Sequence, residues 1–243
     1  MRVDSKEAIQ DWHSEIMNRA FINQNQINSA QNNQDFHLDQ ESAHRFEKVL
    51  RLKPGDRVEL FDGHGTILQG TLGTGSVLKK VHLSHIPKPK QTIILCQALV
   101  PMEKLEQITQ HATELAVAEI ILFKAHRSQV DFKHKLEDKL ERLRRIAQDA
   151  SRQCGRAWIP ALSFSKTILE GNSWGKKYLA HPKASQTLKP TTKNISLVIG
   201  PEGGFSAKEL HHFQALGAQT VQLAQYVLRT ETASLAALAQ IFK

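Results

Sequence analysis

LVIGPEGGFSAKEL, Leu197–Leu210, runs from an apolar strand through a glycine-bearing turn into the start of a helix. Ser206 and Glu209 have capping-box spacing: the serine accepts from the backbone three residues on and the glutamate reaches back. Gly217 stands where a helix C′ glycine belongs. The same grammar extends outward. Upstream, QTIILCQAL and EIILFKA read as strands, EKLEQITQHATELA as a helix, and HKLEDKLERLRRIAQDASRQC as a long helix with Leu136, Leu140, Leu143 and Ala147 on one face. KKYLAH is a weaker strand and ISLVIG a clear one. Downstream, TVQLA is a strand and TETASLAALAQIF a closing helix. Near-continuous apolar strands alternating with helices predict a parallel α/β sheet.

This grammar begins after PKPK, Pro87–Lys90, which reads as a linker. Before it, RVELF, TILQGTL and VHLSHI are short strands between glycine turns, the pattern of a small β-barrel. Glu41–Leu52 is spaced like a short helix. NQNQINSAQNNQ, Asn23–Gln34, is polar and reads as an exposed loop. Ala8, Ile9, Trp12 and Ile16 fall at helical spacing, predicting an amphipathic N-terminal helix. The expected division is an extension over 1–16, a barrel over 17–88 and an α/β domain over 91–243.

The 243-residue chain carries 32 Lys+Arg against 24 Asp+Glu, and its pI of about 9.5 suits a polyanionic partner such as nucleic acid. Cys96 and Cys154 match no metal-ligand spacing. With no signal-like or membrane-spanning apolar run, a reduced cytoplasmic protein is expected. His82 and His85 fall on opposite faces of an alternating strand, so no metal site is expected.

The glycine loop resists a phosphate reading. A P-loop needs a lysine and Ser/Thr after its last glycine, and a dinucleotide fingerprint needs another glycine spacing, early in the domain. Gly200, Gly203 and Gly204 fit neither, and Glu202 would repel a phosphate. Three loops nonetheless fall at the carboxyl ends of strands, where open α/β sheets bind ligands: AHPKAS, GPEGGFS and AQYVLRTETAS.

These loops carry a resemblance. LVIGPEGGFSAKEL with LAQYVLRTETASLAAL resembles the RsmE-type 16S ribosomal RNA (uracil-N3)-methyltransferases of the SPOUT class. EKVLRLKPGDRVELFDG, QALVPMEKLEQITQHATELAVAEIILFKAHRS, QCGR before IP, and LAHPKAS are similar to that family too, and NRAFI matches its opening strand through Arg19. The residues before Met17 and the polar loop Asn23–Gln34 depart from its pattern. The resemblance implies a PUA-like barrel, a SPOUT parallel sheet with a C-terminal trefoil knot, and a homodimer. It further implies S-adenosylmethionine as methyl donor, and N3 of one uridine (uridine 1498) in 16S rRNA of the small ribosomal subunit as acceptor. That donor carries no phosphate, which removes the objection Glu202 raised.

Carried over by position, the cofactor pocket implied is Leu179, Ala180, His181, Ile199, Gly200, Pro201, Gly203, Gly204, Leu223, Leu228 and Thr230. Uracil N3 is a poor nucleophile while protonated, so Glu231, Glu202 and His181 are candidate proton acceptors, and Arg229 can meet charge developing on the uracil oxygens. For Arg229–Glu231 a structural alternative is a helix start with Thr230 or Thr232 as N-cap. Arg19, Arg45, Lys48, Arg51, Lys53 and Arg57 in the barrel, with Arg127, Arg152 and Arg156 in the second domain, are the cations expected to track RNA. The competing functions are a non-catalytic RNA-binding module, a SPOUT enzyme acting on tRNA or ribose, and a nucleotide-dependent enzyme.

Overall fold

The computed structural model describes residues 18–27, 30, 34–132, 135–166 and 175–241. The helix expected over Ala8–Ile16 lies outside them. The chain forms two compact units, one of Met1–Lys88 with Ser151–Ile159 and one of Pro89–Ala150 with Pro160–Lys243.

The first unit is a half-barrel of five strands in the order β1-β3-β4-β5-β2: β1 Arg19–Phe21, β2 Phe36–His37, β3 Arg57–Phe61, β4 Thr66–Leu72 and β5 Val77–His85. Only β1 and β3 pair parallel. Its core is apolar, with Ile22, Phe46, Val58, Leu60, Leu68 and Leu78 all buried. Asn23–Gln34 is not simply an exposed loop. Short helix α1, Gln24–Ile27, lies within it, and Ile27 and Ala30 are buried in that core. The helix read over Glu41–Leu52 is helix α2, Gln40–His44, capped by Asp39, followed by a π-turn over Arg45–Val49.

The second unit is a six-stranded parallel sheet in the order β11-β9-β10-β6-β7-β8. Its strands are β6 Ile93–Ala98, β7 Glu119–Phe123, β8 Ala161–Ser165, β9 Lys176–Ala180, β10 Ile195–Ile199 and β11 Gln219–Val221. β8 was not anticipated: ALSFS is a half-exposed edge strand without an apolar run. The helices are α3 Met102–Glu114, α4 Leu136–Cys154, whose end from Ser151 belongs to the first unit, α5 Ala207–Ala215 and α6 Thr230–Ile241.

Strand alternation sorts β6 cleanly. Ile94, Cys96 and Ala98 face a core completed by Phe123, Val198, Phe205 and Phe213. The opposite face carries Gln97, and on that side α3 packs against α6 and α6 against β10. The capping box of α5 is formed: Ser206 Oγ accepts from Glu209 N at 3.3 Å, and Glu209 Oε2 accepts from Ser206 N at 2.7 Å. Gly217 closes the helix with φ of +83°. Connections leave β6 toward β7 on one side and β10 toward β11 on the other, so adjacent strands β6 and β10 flank the sheet's switch point, where such folds bind ligands.

Candidate functional site

A cavity of about 230 Å³ opens at the carboxyl ends of β9, β10 and β11. Of the residues expected in a pocket, Ala180, His181, Ile199, Gly200, Pro201, Gly204, Leu223, Leu228 and Thr230 line it, as does Glu202. Leu179 is not on the wall; it points into the core and is fully buried. Gly203 is also off the wall. A Cβ there would stand 3.1 Å from Arg127 Cβ, so the glycine admits that arginine, whose Nη1 donates to Gly203 O at 3.0 Å. Gly204 has φ of +64°, a conformation glycine adopts without penalty.

Arg127 was expected on RNA but lines this cavity, reaching it from the loop after β7. That loop is tied down by Glu209, whose Oε1 accepts from His126 N at 2.8 Å. His181 is fixed through its backbone, its N–H donating to Val221 O at 2.9 Å, and its Nδ1 accepts from Lys183 N at 3.2 Å. Pro182, Phe205, Ala224, Tyr226, Val227 and Ala233 complete the lining. All six lie within the three quoted loops; Ala224, Tyr226 and Val227 fall inside the expected stretch Leu223–Thr230, whereas Pro182, Phe205 and Ala233 were not expected in the pocket.

Behind the wall is a buried polar net. Thr230 Oγ1 donates to Gly200 O at 2.8 Å and accepts from Gln97 Nε2 at 3.1 Å; Ser234 Oγ donates to Gln97 Oε1 at 2.8 Å. Thr230 is therefore no N-cap: it fastens the first turn of α6 to the glycine loop. Arg229 is exposed and does not line the cavity, though its carbonyl accepts from Ala233 N at 2.8 Å and opens the helix. Glu231, one residue past Thr230, is off the lining and half-buried. Its Oε2 lies 3.8 Å from Lys104 Nζ, and Lys104 also bonds Glu202. The hydrogen bond to Glu202 raises the Lys104 pKa, further helped by Glu231 and Glu202 and opposed by burial and Arg229.

The cations assigned to RNA divide. Arg19 is a correction: it is only 3% exposed, its Nε donates to Glu59 Oε1 at 2.5 Å, its Nη1 to Ser151 O at 2.9 Å, and it lies over the Phe61 ring. Half-buried Arg45 donates to Arg19 O at 2.9 Å. Arg152 and Arg156 are half-buried, and burial lowers the Arg156 pKa. Arg51, Lys53 and Arg57 are exposed, as is Lys48. Among the described residues no group of three or more His, Cys, Asp and Glu is placed to hold a metal, and no helix is long and apolar enough to cross a membrane.

A pocket of polar and apolar residues with one glutamate and one arginine on its wall, at the carboxyl ends of the parallel sheet beside its switch point, is a candidate small-molecule site. The family model described as RNA methyltransferase domain matches residues 87–242, and that of an RNA methyltransferase PUA domain matches 48–81. The chain is 30% identical over 220 residues to ribosomal RNA small subunit methyltransferase E of Buchnera aphidicola, covering 85% of this chain and 87% of that one. It is 31% identical to the protein of the same name from Synechocystis, over 82% and 69% of the two chains. The structure of a ribosomal RNA small subunit methyltransferase E from Neisseria gonorrhoeae, bound to S-adenosyl methionine, superposes with a TM-score of 0.79 at 26% identity, over 92% of this chain and 96% of that one. A putative methyltransferase from Legionella pneumophila with bound SAM gives 0.78 at 28% identity, over the same shares. The chain is an RNA methyltransferase by fold and domain content. It belongs to the ribosomal RNA small subunit methyltransferase E family.

Proposed function

We propose that this protein transfers a methyl group from S-adenosylmethionine to N3 of one uridine, uridine 1498, in 16S rRNA of the small ribosomal subunit. The observation that carries the reading is Glu202 on the wall of a cavity built by three strand-end loops. With Lys104 on that carboxylate and Arg127 on the same wall, the lining carries both signs of charge, which suits a ligand with an ammonium, a sulfonium and a carboxylate. S-adenosylmethionine supplies an electrophilic methyl on a sulfonium. Ile199, Phe205, Leu223 and Leu228 offer apolar surface to an adenosine, and Gly200 and Gly204 bring the backbone itself to the wall.

N3 lies on the Watson–Crick edge, so the target uridine must be unpaired or flipped out. Glu231 is the proposed acceptor of its N3 proton, and exposed Arg229 meets the negative charge left on the uracil oxygens. The remainder of the chemistry is positioning. The reading includes a homodimer in the cytoplasm and a knotted C-terminal segment. Two backbone pairings support the knot: the connection between β9 and β10 lies against the chain's last helix, Thr191 N donating to Ile241 O at 3.3 Å, and Thr187 bridges Gln222.

Calorimetry with S-adenosylmethionine, S-adenosylhomocysteine and ATP tests the pocket: the first two bind and ATP does not. Base-resolved analysis of 16S rRNA from a deletion strain tests the substrate; N3-methyluridine persisting there sinks the assignment. Glu231→Ala should bind cofactor as wild type does while losing about 100-fold or more in turnover, the usual scale for a general base.

A further inference from the structure

Lys104 was no part of the site as read from sequence, and it does not line the cavity. It sits in the first turn of α3, on the connection leaving β6. Its ammonium bonds the carboxylate of Glu202 and lies 3.8 Å from Glu231 Oε2. That oxygen is buried and accepts no hydrogen bond. One cation thus stands between two carboxylates from separate elements: Glu202 on the cavity wall after β10, and Glu231 in the first turn of α6.

We infer that Lys104 is a positioning residue for methyl transfer, bridging Glu202 to Glu231 so that Glu231 is aimed and feels the ammonium charge while Glu202 holds the pocket wall. The inference rests on the function proposed above, since it gives Glu231 its role as proton acceptor.

The physics is that of paired carboxylates. Without a cation between them, two such groups repel, and one retains its proton to higher pH. An ammonium between the two offsets that repulsion and couples them. The charged groups around Glu231 are Lys104 from α3, Glu202 from the loop after β10, and Arg229, which acts on Lys104 from the turn before α6. β10 itself, ISLVI, contributes no charge, and β6 presents neutral Gln97. Lys104 is the cation that contacts both carboxylates among the described residues.

The test uses the full chain. Glutamate carboxylates labelled with carbon-13 are titrated by NMR, with the Glu231 signal assigned through Glu231→Gln. Single-turnover methylation of small-subunit RNA is followed against pH in parallel. In Lys104→Met the Glu231 midpoint should rise by about one pH unit or more, and the acidic limb of the rate profile should rise with it. Single-turnover rate should fall about tenfold near neutral pH, with a smaller change in cofactor affinity. Lys104→Arg should restore both midpoint and rate. Glu202→Gln, which frees Lys104 for Glu231, should move the midpoint the other way. A Glu231 midpoint indifferent to both Lys104→Met and Glu202→Gln overturns the inference. So does a Lys104→Met enzyme with the wild-type rate profile. Wild-type protein that transfers no methyl group, with the midpoint shifts intact, overturns the proposed function and leaves the ion triad standing.

Discussion

Glu209 joins the cap of α5 to the loop bearing Arg127. Its Oε2 accepts from the backbone and hydroxyl of Ser206, each at 2.7 Å, and its Oε1 from His126 N at 2.8 Å. Burial pushes its pKa up, but these hydrogen bonds outweigh it and the net shift is below the usual 4.5. A depressed folded-state pKa stabilises the protein fully above the unfolded value, and that contribution is lost as pH falls through the folded one. Wild type should therefore lose stability between about pH 5 and pH 3, and Glu209→Ala should lose less over that window, from a lower starting point. Urea unfolding at a series of pH values reads both. A Glu209→Ala curve parallel to wild type would show that the depressed pKa makes no contribution. The capping partner was legible, because Ser206 and Glu209 are three residues apart. His126 was not, because it is 83 residues from Glu209 and meets it only through the fold.

At the scale of elements, α6 is seated by a polar net at its first turns and by buried Ala237, Leu238 and Ile241 further on. Gln97, fully buried, tells it where to begin by bonding Thr230 and Ser234. Thr230→Val keeps the shape and removes the hydroxyl that joins Gln97 to Gly200 O. It should cost about 1–3 kcal/mol, the range for leaving buried polar partners unsatisfied. The urea midpoint should fall with little change in slope, and affinity for S-adenosylmethionine should fall with it as the glycine loop loses its tether. Stability equal to wild type would mean that Gln97 and Gly200 find other partners. The parallel sheet was legible because strands buried on both faces announce themselves as apolar runs. Gln97 was illegible for the same reason: inside QTIILCQAL it reads as an interruption of a strand, and its partners lie 133 and 137 residues on. β8 was missed because an edge strand needs no apolar run. The three ligand loops were legible as loops, but only tertiary structure could place Arg127 among them.

For the whole molecule the governing quantity is charge. The chain carries a formal net +8, but a net charge does not say which cations meet RNA. Composition counts Arg19 equally with Arg51, whereas the fold separates them: Arg19 is closed inside the half-barrel unit against Glu59 and Phe61, while Arg51 and Lys53 stand in solvent. The two groups should fail differently. Arg51→Gln with Lys53→Gln should leave folding stability within about 0.5 kcal/mol, as surface changes usually do. The same pair should weaken RNA binding across sequences and flatten the plot of log K against log salt by about 0.7–0.9 for each phosphate no longer neutralised. Arg19→Met strands Glu59 as a buried carboxylate, with Gln69 still donating to it at 2.9 Å. It should destabilise the protein by about 3–5 kcal/mol, the scale for breaking a buried ion pair from one side, and leave the salt slope of the molecules that remain folded unchanged. Fluorescence anisotropy with a small-subunit RNA fragment, at salt concentrations between about 50 and 200 mM, beside urea unfolding of each variant, separates the two effects. An Arg19→Met protein that is stable yet shows a flattened slope would mean that the buried arginine reaches RNA after all. A doubly substituted protein with the wild-type slope would move the RNA footprint off Arg51 and Lys53.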